Sequence, residues 1–294
     1  MTPPYDPKGT LMFDTKLTHA VETFATVMLP LSEGDLARAW QWKDHDEEGI
    51  RFAFFVTLQD LRQLAVTLAA FRPTPTPAEH IMSQYHAAYM DLQAALLGLS
   101  AADADKPPAE GEWSVRRAYA HILGTDINFT MTIRYALEQH RAGRWTPEPM
   151  SEKDEERLAG MSEAEYGALI KGPLEEMLAY HREFHPAIID DFSRISEEEL
   201  DLPSTFWEET RFPIRHRLHR YEAHYAQHTI QIDKTLAAIG QAPGESKRLI
   251  RKIYAALAEA EGRLIGAGSM DDAAALATAA SISERTTEIK NLLN

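Results

Sequence analysis

The chain has 294 residues, of which 44% are hydrophobic and 26% charged, a composition that gives a globular protein of one or two domains with a substantial core. Its formal net charge of −15 argues against a general nucleic-acid binder, which needs a cationic footprint. The complete absence of cysteine removes disulfides, thiolate metal ligands and a cysteine nucleophile together.

Helical periodicity dominates from the N-terminus onward. The start, Met1-Thr2-Pro3-Pro4-Tyr5-Asp6, lacks a charged region followed by an apolar stretch, and no segment approaches ~18 consecutive apolar residues, so a cytoplasmic protein with no membrane partner is expected. Two helical runs, Leu11–Leu29 and Gly49–Phe71, are predicted first, joined through Leu31-Ser32-Glu33-Gly34-Asp35. The extended linker Arg72-Pro73-Thr74-Pro75-Thr76-Pro77 closes an N-terminal extension over residues 1–77. A helix near 78–98 follows, with Tyr85, Tyr89, Leu92, Leu96 and Leu99 repeating at 3–4 spacing. Ser114 caps the next, near 114–141, and Gly143 stops it. In the long connection over 143–172, Ser162 and Glu165 form a capping box and imply a short helix. The third bundle helix spans about 173–195, where Pro186 is expected to kink or divide it. The fourth spans about 215–239 and ends at Gly240. The fold class is therefore all-α: a four-helix bundle over 78–243 with a long middle crossover, flanked by an N-terminal helical hairpin and C-terminal helices over 244–294. The outer helices are apolar enough to be buried, within the chain or in a homodimer. A faint echo sets Leu31-Ser32 and Ile50 to Phe54 against Leu99-Ser100 and Val115 to Tyr119. It reads as a degenerate half-bundle in which Val56 falls opposite His121.

Three histidines carry the chemistry. His224 and His228 stand i,i+4 on the fourth bundle helix, so both imidazoles share a face one turn apart, and His121 on the second can supply a third ligand. Three ligands with one open position is the arrangement of a catalytic divalent metal, and without thiolates zinc, nickel, iron and manganese all remain open. A second pair, His181 and His185, abuts Pro186 and reads as interior or pocket histidines, with a rival or additional ligand role as the alternative. His86 is read as a core residue, His216 and His219 as solvated, and Tyr119, Tyr221 and Tyr225 as core. Arg211, Arg215, Arg217 and Arg220 read as a solvated face, and Trp40 and Trp42 as packing residues. Asp126 and Glu222 are the carboxylates considered as general base.

At Leu99-Ser100, Trp113-Ser114-Val115-Arg116, His121, Ser196 to Asp201, and His224-x-x-x-His228-x-x-Gln231-Ile232, the chain resembles the DinB-like metal-binding four-helix bundles, which include the bacillithiol transferases and are related to the mycothiol-dependent isomerases. The resemblance covers residues 78–243 and places its metal triad on His121, His224 and His228. Where that family carries an acidic residue one turn after its first histidine, this chain has Gly124, with Asp126 two further on. The resemblance implies a metal-dependent thiol S-transferase or hydrolase acting on a small molecule in detoxification or stress response, with a low-molecular-weight thiol as cofactor. The competing expectation is a non-catalytic, stress-related or regulatory bundle whose metal site is structural or lost.

Overall fold

Side-chain hydroxyls start most of the helices. Thr15, Ser32, Thr76, Ser100, Ser114, Ser151, Ser162 and Ser196 each accept the backbone N–H three residues on, satisfying a donor that the first helical turn leaves unpaired. A computed structural model describes residues 15–72, 74–144, 150–206, 210–267 and 273–294, and contains thirteen helices among them. In chain order these are α1 (Lys16–Met28), α2 (Glu33–Leu36), α3 (Phe52–Phe71), α4 (Pro77–Leu96), α5 (Ala101–Asp105), α6 (Val115–Arg141) and α7 (Glu152–Ala159). There follow α8 (Glu163–Lys171), α9 (Leu174–Phe192), α10 (Glu197–Leu200), α11 (Ile214–Ala238), α12 (Glu245–Gly262) and α13 (Ala273–Leu293). Two short strands, β1 (Pro203–Ser204) and β2 (Phe212–Pro213), pair antiparallel just ahead of α11.

The all-α expectation holds, and the four bundle helices are α4, α6, α9 and α11. In the ring they form, α11 touches α4 and α6, and α9 touches the same two, so α4 and α6 sit on opposite corners. Tyr85, Leu92, Ile122, Ile133, Ile188, Phe192, Leu218 and Tyr221 fill the ring as the 3–4 spacing requires. The crossover holds two helices rather than one: α7 lies on α6, and α8 bridges α6 and α9. Pro186 lies inside α9 without dividing it. The helix continues past the missing N–H at the cost of one backbone bond. Of the first predicted run, Leu11 to Asp14 lie outside the described residues, and the helix starts where Thr15 caps it.

The flanking helices build a second ring of the same kind. α12 and α13 each contact both α1 and α3, and α12 also packs along α4, which joins the two rings. The echo noted in the sequence has a structural counterpart. Ser32 and Ser100 both open a one-turn helix, α2 and α5, ahead of a long one. Val56, opposite His121 in that echo, is simply buried.

Two arginines tie the second ring together. Arg285 of α13 is fully buried, donates to the Thr57 hydroxyl and the Asp60 carboxylate of α3, and lies 4.7 Å from the Trp42 ring, which stacks on Trp40 as a packing residue. Arg72, at the end of α3, donates to the carbonyls of Gly262, Arg263 and Ile265 and to Glu79. It thereby caps the C-terminal turn of α12.

Candidate metal centre

Ser114 fixes where α6 begins, which puts His121 two turns in, on the side facing α11. His224 and His228 come to meet it from α11. The three residues offer ligand nitrogens that all lie within 4.8 Å of one another. His121 Nε2 is 3.1 Å from His224 Nε2, and the rings are separated by 4.9, 4.7 and 4.4 Å between centroids. His224 and His228 are buried, with 8% and 7% exposure, whereas His121 is exposed at the edge of the bundle. Trp113 closes one side, edge-on to His121 and parallel to His228. Phe129 lies behind His224.

These residues suit a cation. Two imidazole nitrogens facing each other at 3.1 Å share at most one proton, and converging lone pairs are relieved by a positive ion. Burial, reinforced by His228 and His121, drives the His224 imidazole from the ordinary 6.5 down to about 3. His121 is lowered as well, by burial first and His228 second, so both rings are neutral and ready as ligands at pH 7. Gln231, one turn beyond His228, accepts from its Nδ1 at 2.8 Å and leaves Nε2 facing the cluster. A hydrogen bond on the far nitrogen is what orients a metal-binding histidine. Replacing Gln231 by Leu is accordingly expected to weaken zinc or nickel binding about 10- to 100-fold with the helix intact, as read by calorimetry.

A groove of about 650 Å³ opens beside His121, between α6 and the end of the crossover, with Trp113, Arg116, Arg117, Ala120, Ile170 and Lys171 in its wall. No residue from 15–72 lines it. Gly124 has a clear reason to be small. A Cβ there would come within 2.7 Å of the Tyr166 hydroxyl of α8, which also bonds to Asn128. The crossover helix therefore occupies the place where an acidic side chain would stand.

Other sequence expectations divide. His181 and His185 are buried, hydrogen-bonded histidines apart from the triad: His181 lies 2.7 Å from both Tyr119 and Tyr225, and His185 2.9 Å from His86. The triad is the one group of three such residues among those described whose ligand atoms come this close. Asp126 is fully buried among Tyr85, Tyr225 and His181 and, like Glu222, does not line the groove, so neither is placed as a general base there. The arginine run is not a uniformly solvated face. Arg217 is buried, bonds to Ser204 and lies against Phe206 and Phe212, because the β1–β2 ribbon folds over the start of α11. His216 stacks on Phe212 at 4.2 Å for the same reason, whereas His219 is exposed. Arg215 pairs with Asp201. The orienting role of Gln231 was not anticipated, although its i,i+3 spacing from His228 was visible. Lys171 and Ile170 carried no sequence signal.

Acid should destabilise the metal-free protein through its buried neutral histidines. Burial lowers His185 well below the ordinary imidazole range and His224 to about 3. As pH falls through the interval from 6.5 to about 3, the unfolded chain takes up the proton that folded His224 refuses, so stability declines across that window. The slope should reach about 1.4 kcal/mol per pH unit for each such histidine. Urea midpoints of chelator-treated protein that stay flat between about pH 7 and 5 would contradict this.

Similarity to known proteins agrees with the geometry. The family model of the DinB superfamily matches residues 84–232, a span that contains His121, His224, His228 and Gln231. No curated protein and no solved structure matches the chain significantly. Among the described residues, no helix is long and apolar enough to cross a membrane. With the match extending over half of the 294 residues and the histidine cluster inside it, the chain belongs to the DinB superfamily.

Proposed function

We propose that His121, His224 and His228 hold a catalytic divalent metal ion, and that the protein is a metal-dependent thiol S-transferase or hydrolase acting on a small molecule in detoxification or stress response. The observation that carries this is the open groove beside an exposed His121, with nothing from residues 15–72 covering it. A non-catalytic bundle with a structural metal would be better served by a closed site. A divalent ion held by three neutral imidazoles supplies Lewis acidity that lowers the pKa of a thiol or water at its open position.

The chain's own residues do the rest. Gln231 keeps His228 in one tautomer, and the Trp113 ring packs edge-on to His121 and parallel to His228, which helps hold both imidazoles in place. Arg117, which lies 5.1 Å from the Trp113 ring, and Lys171 give the groove a cationic wall that orients an anionic group on the thiol or its acceptor. Glu112 is a carboxylate that lines the same groove and would be the candidate proton acceptor there. The test is turnover by zinc-, nickel- or manganese-loaded protein with low-molecular-weight thiols and a chromogenic electrophile, alongside ester and amide hydrolysis. Metal-dependent turnover that disappears in His224→Ala supports the reading. Stoichiometric metal binding with no turnover in either assay favours the structural role.

A further inference from the structure

The two rings of helices do not close completely where they meet. Between α1 and α12 of the flanking ring and α4 and α9 of the bundle lies a cavity of about 490 Å³, well within the range of small-molecule sites. Its floor is a buried hydrogen-bonded row. The Thr18 hydroxyl donates to Glu261, His86 Nε2 donates to the other carboxylate oxygen at 2.9 Å, and His86 Nδ1 lies 2.9 Å from His185. That row belongs to the fold: it satisfies a carboxylate with 1% exposure and joins the rings.

The walls carry further polar groups. Tyr89 and Tyr254 are 7% and 5% exposed, and neither hydroxyl has a hydrogen-bond partner among the described residues, although both side chains line the cavity. Burial raises both phenols far above their ordinary range, so they stay protonated as donors. At the mouth, Arg182 of α9 and Glu22 of α1 face each other at 4.0 Å, beyond hydrogen-bonding distance, with side chains 71% and 39% exposed. His19 stands 3.8 Å from Glu22 on its other side. Met90, Leu97 and Pro186 supply apolar wall between mouth and floor.

We propose that this cavity binds a free α-amino acid with an apolar side chain, its carboxylate on Arg182, its ammonium on Glu22, and its side chain between Tyr89 and Tyr254. One positive and one negative group, held only by a loose contact at 4.0 Å, match a zwitterion better than a simple cation or anion, either of which leaves one of them facing a like charge. Because Arg182 and Glu22 come from different rings, the ligand would bridge the family bundle and the helices flanking it. The site shares no residue with the histidine triad.

Calorimetry of the full chain with L-phenylalanine, L-leucine and L-methionine tests the proposal, followed by the amine and the acid that lack one charge of the best ligand. Saturable one-to-one binding is expected, weakened at least about tenfold when either charge is deleted from the ligand and equally in Arg182→Gln or Glu22→Gln. Tyr89→Ala, which removes the ring the apolar side chain packs against, should weaken it at least about tenfold, and His224→Ala should leave it unchanged. Circular dichroism confirms that the variants fold. The proposal is overturned if none of the three amino acids binds by about 10 mM. It is equally overturned if the amine or acid binds as tightly as the zwitterion, or if both mouth variants bind like the parent.

Discussion

Alanine at position 224 is expected to abolish stoichiometric binding of zinc, nickel or manganese while leaving the bundle folded. His224 is in contact with both of the other imidazoles, so its loss leaves two ligands, one of them on the exposed edge of α6. Loss of an outer-shell partner alone costs 10- to 100-fold, and a direct ligand should cost more than about a hundredfold. The fold should survive because Leu218, Tyr221, Tyr225, Ile232 and Leu236 of α11 remain buried. His228→Ala should behave alike, and His216→Ala should change neither property, because His216 stacks on Phe212 and is not one of the clustered histidines. Metal analysis and calorimetry decide the matter. Parent-like affinity in His224→Ala would remove the triad as the metal site.

The largest stability effect is expected at Asp60. Arg285 is 0% exposed and, among the described residues, Asp60 is the one carboxylate it bonds to, so Asp60→Ala strands a buried guanidinium and should cost about 3 kcal/mol. Replacing Arg285 by Met should cost less, since it removes the buried charge while keeping most of the packing volume against Trp42. Urea unfolding gives both values. A loss below about 1 kcal/mol for Asp60→Ala would show that solvent reaches the arginine, which nothing in its burial suggests.

What could be read in advance was local. The helices with a 3–4 stripe and a hydroxyl cap, α4 and α6 above all, lie within a residue or two of their predicted ends, because both signals act over a single turn. The i,i+4 spacing brought His224 and His228 together for the same reason, but it did so equally for His181 and His185. Only tertiary placement separates the two pairs: one meets His121, the other meets tyrosines and His86. What sequence spacing did not show was nonlocal. Arg217, read as solvated, is buried by a ribbon several residues upstream; Tyr166 of the crossover is what constrains Gly124; and His86, a core residue as expected, finds its carboxylate on α12, 175 positions away. No periodicity encodes such partners.

The second ring is divided in sequence: α1 and α3 precede the family bundle, and α12 and α13 follow it. A growing chain would thus emerge from the ribosome with α1 and α3 made before the bundle and their partners made after it. Phe24, Phe54, Leu61 and Leu64, buried in the finished ring, would wait uncovered through synthesis of the entire bundle. Long-range closure of this kind is slow and leaves the nascent hairpin a natural client for a chaperone. Early truncation should for that reason be more harmful than the peripheral position of α13 would suggest, since it deprives the first helices of the chain of their cover.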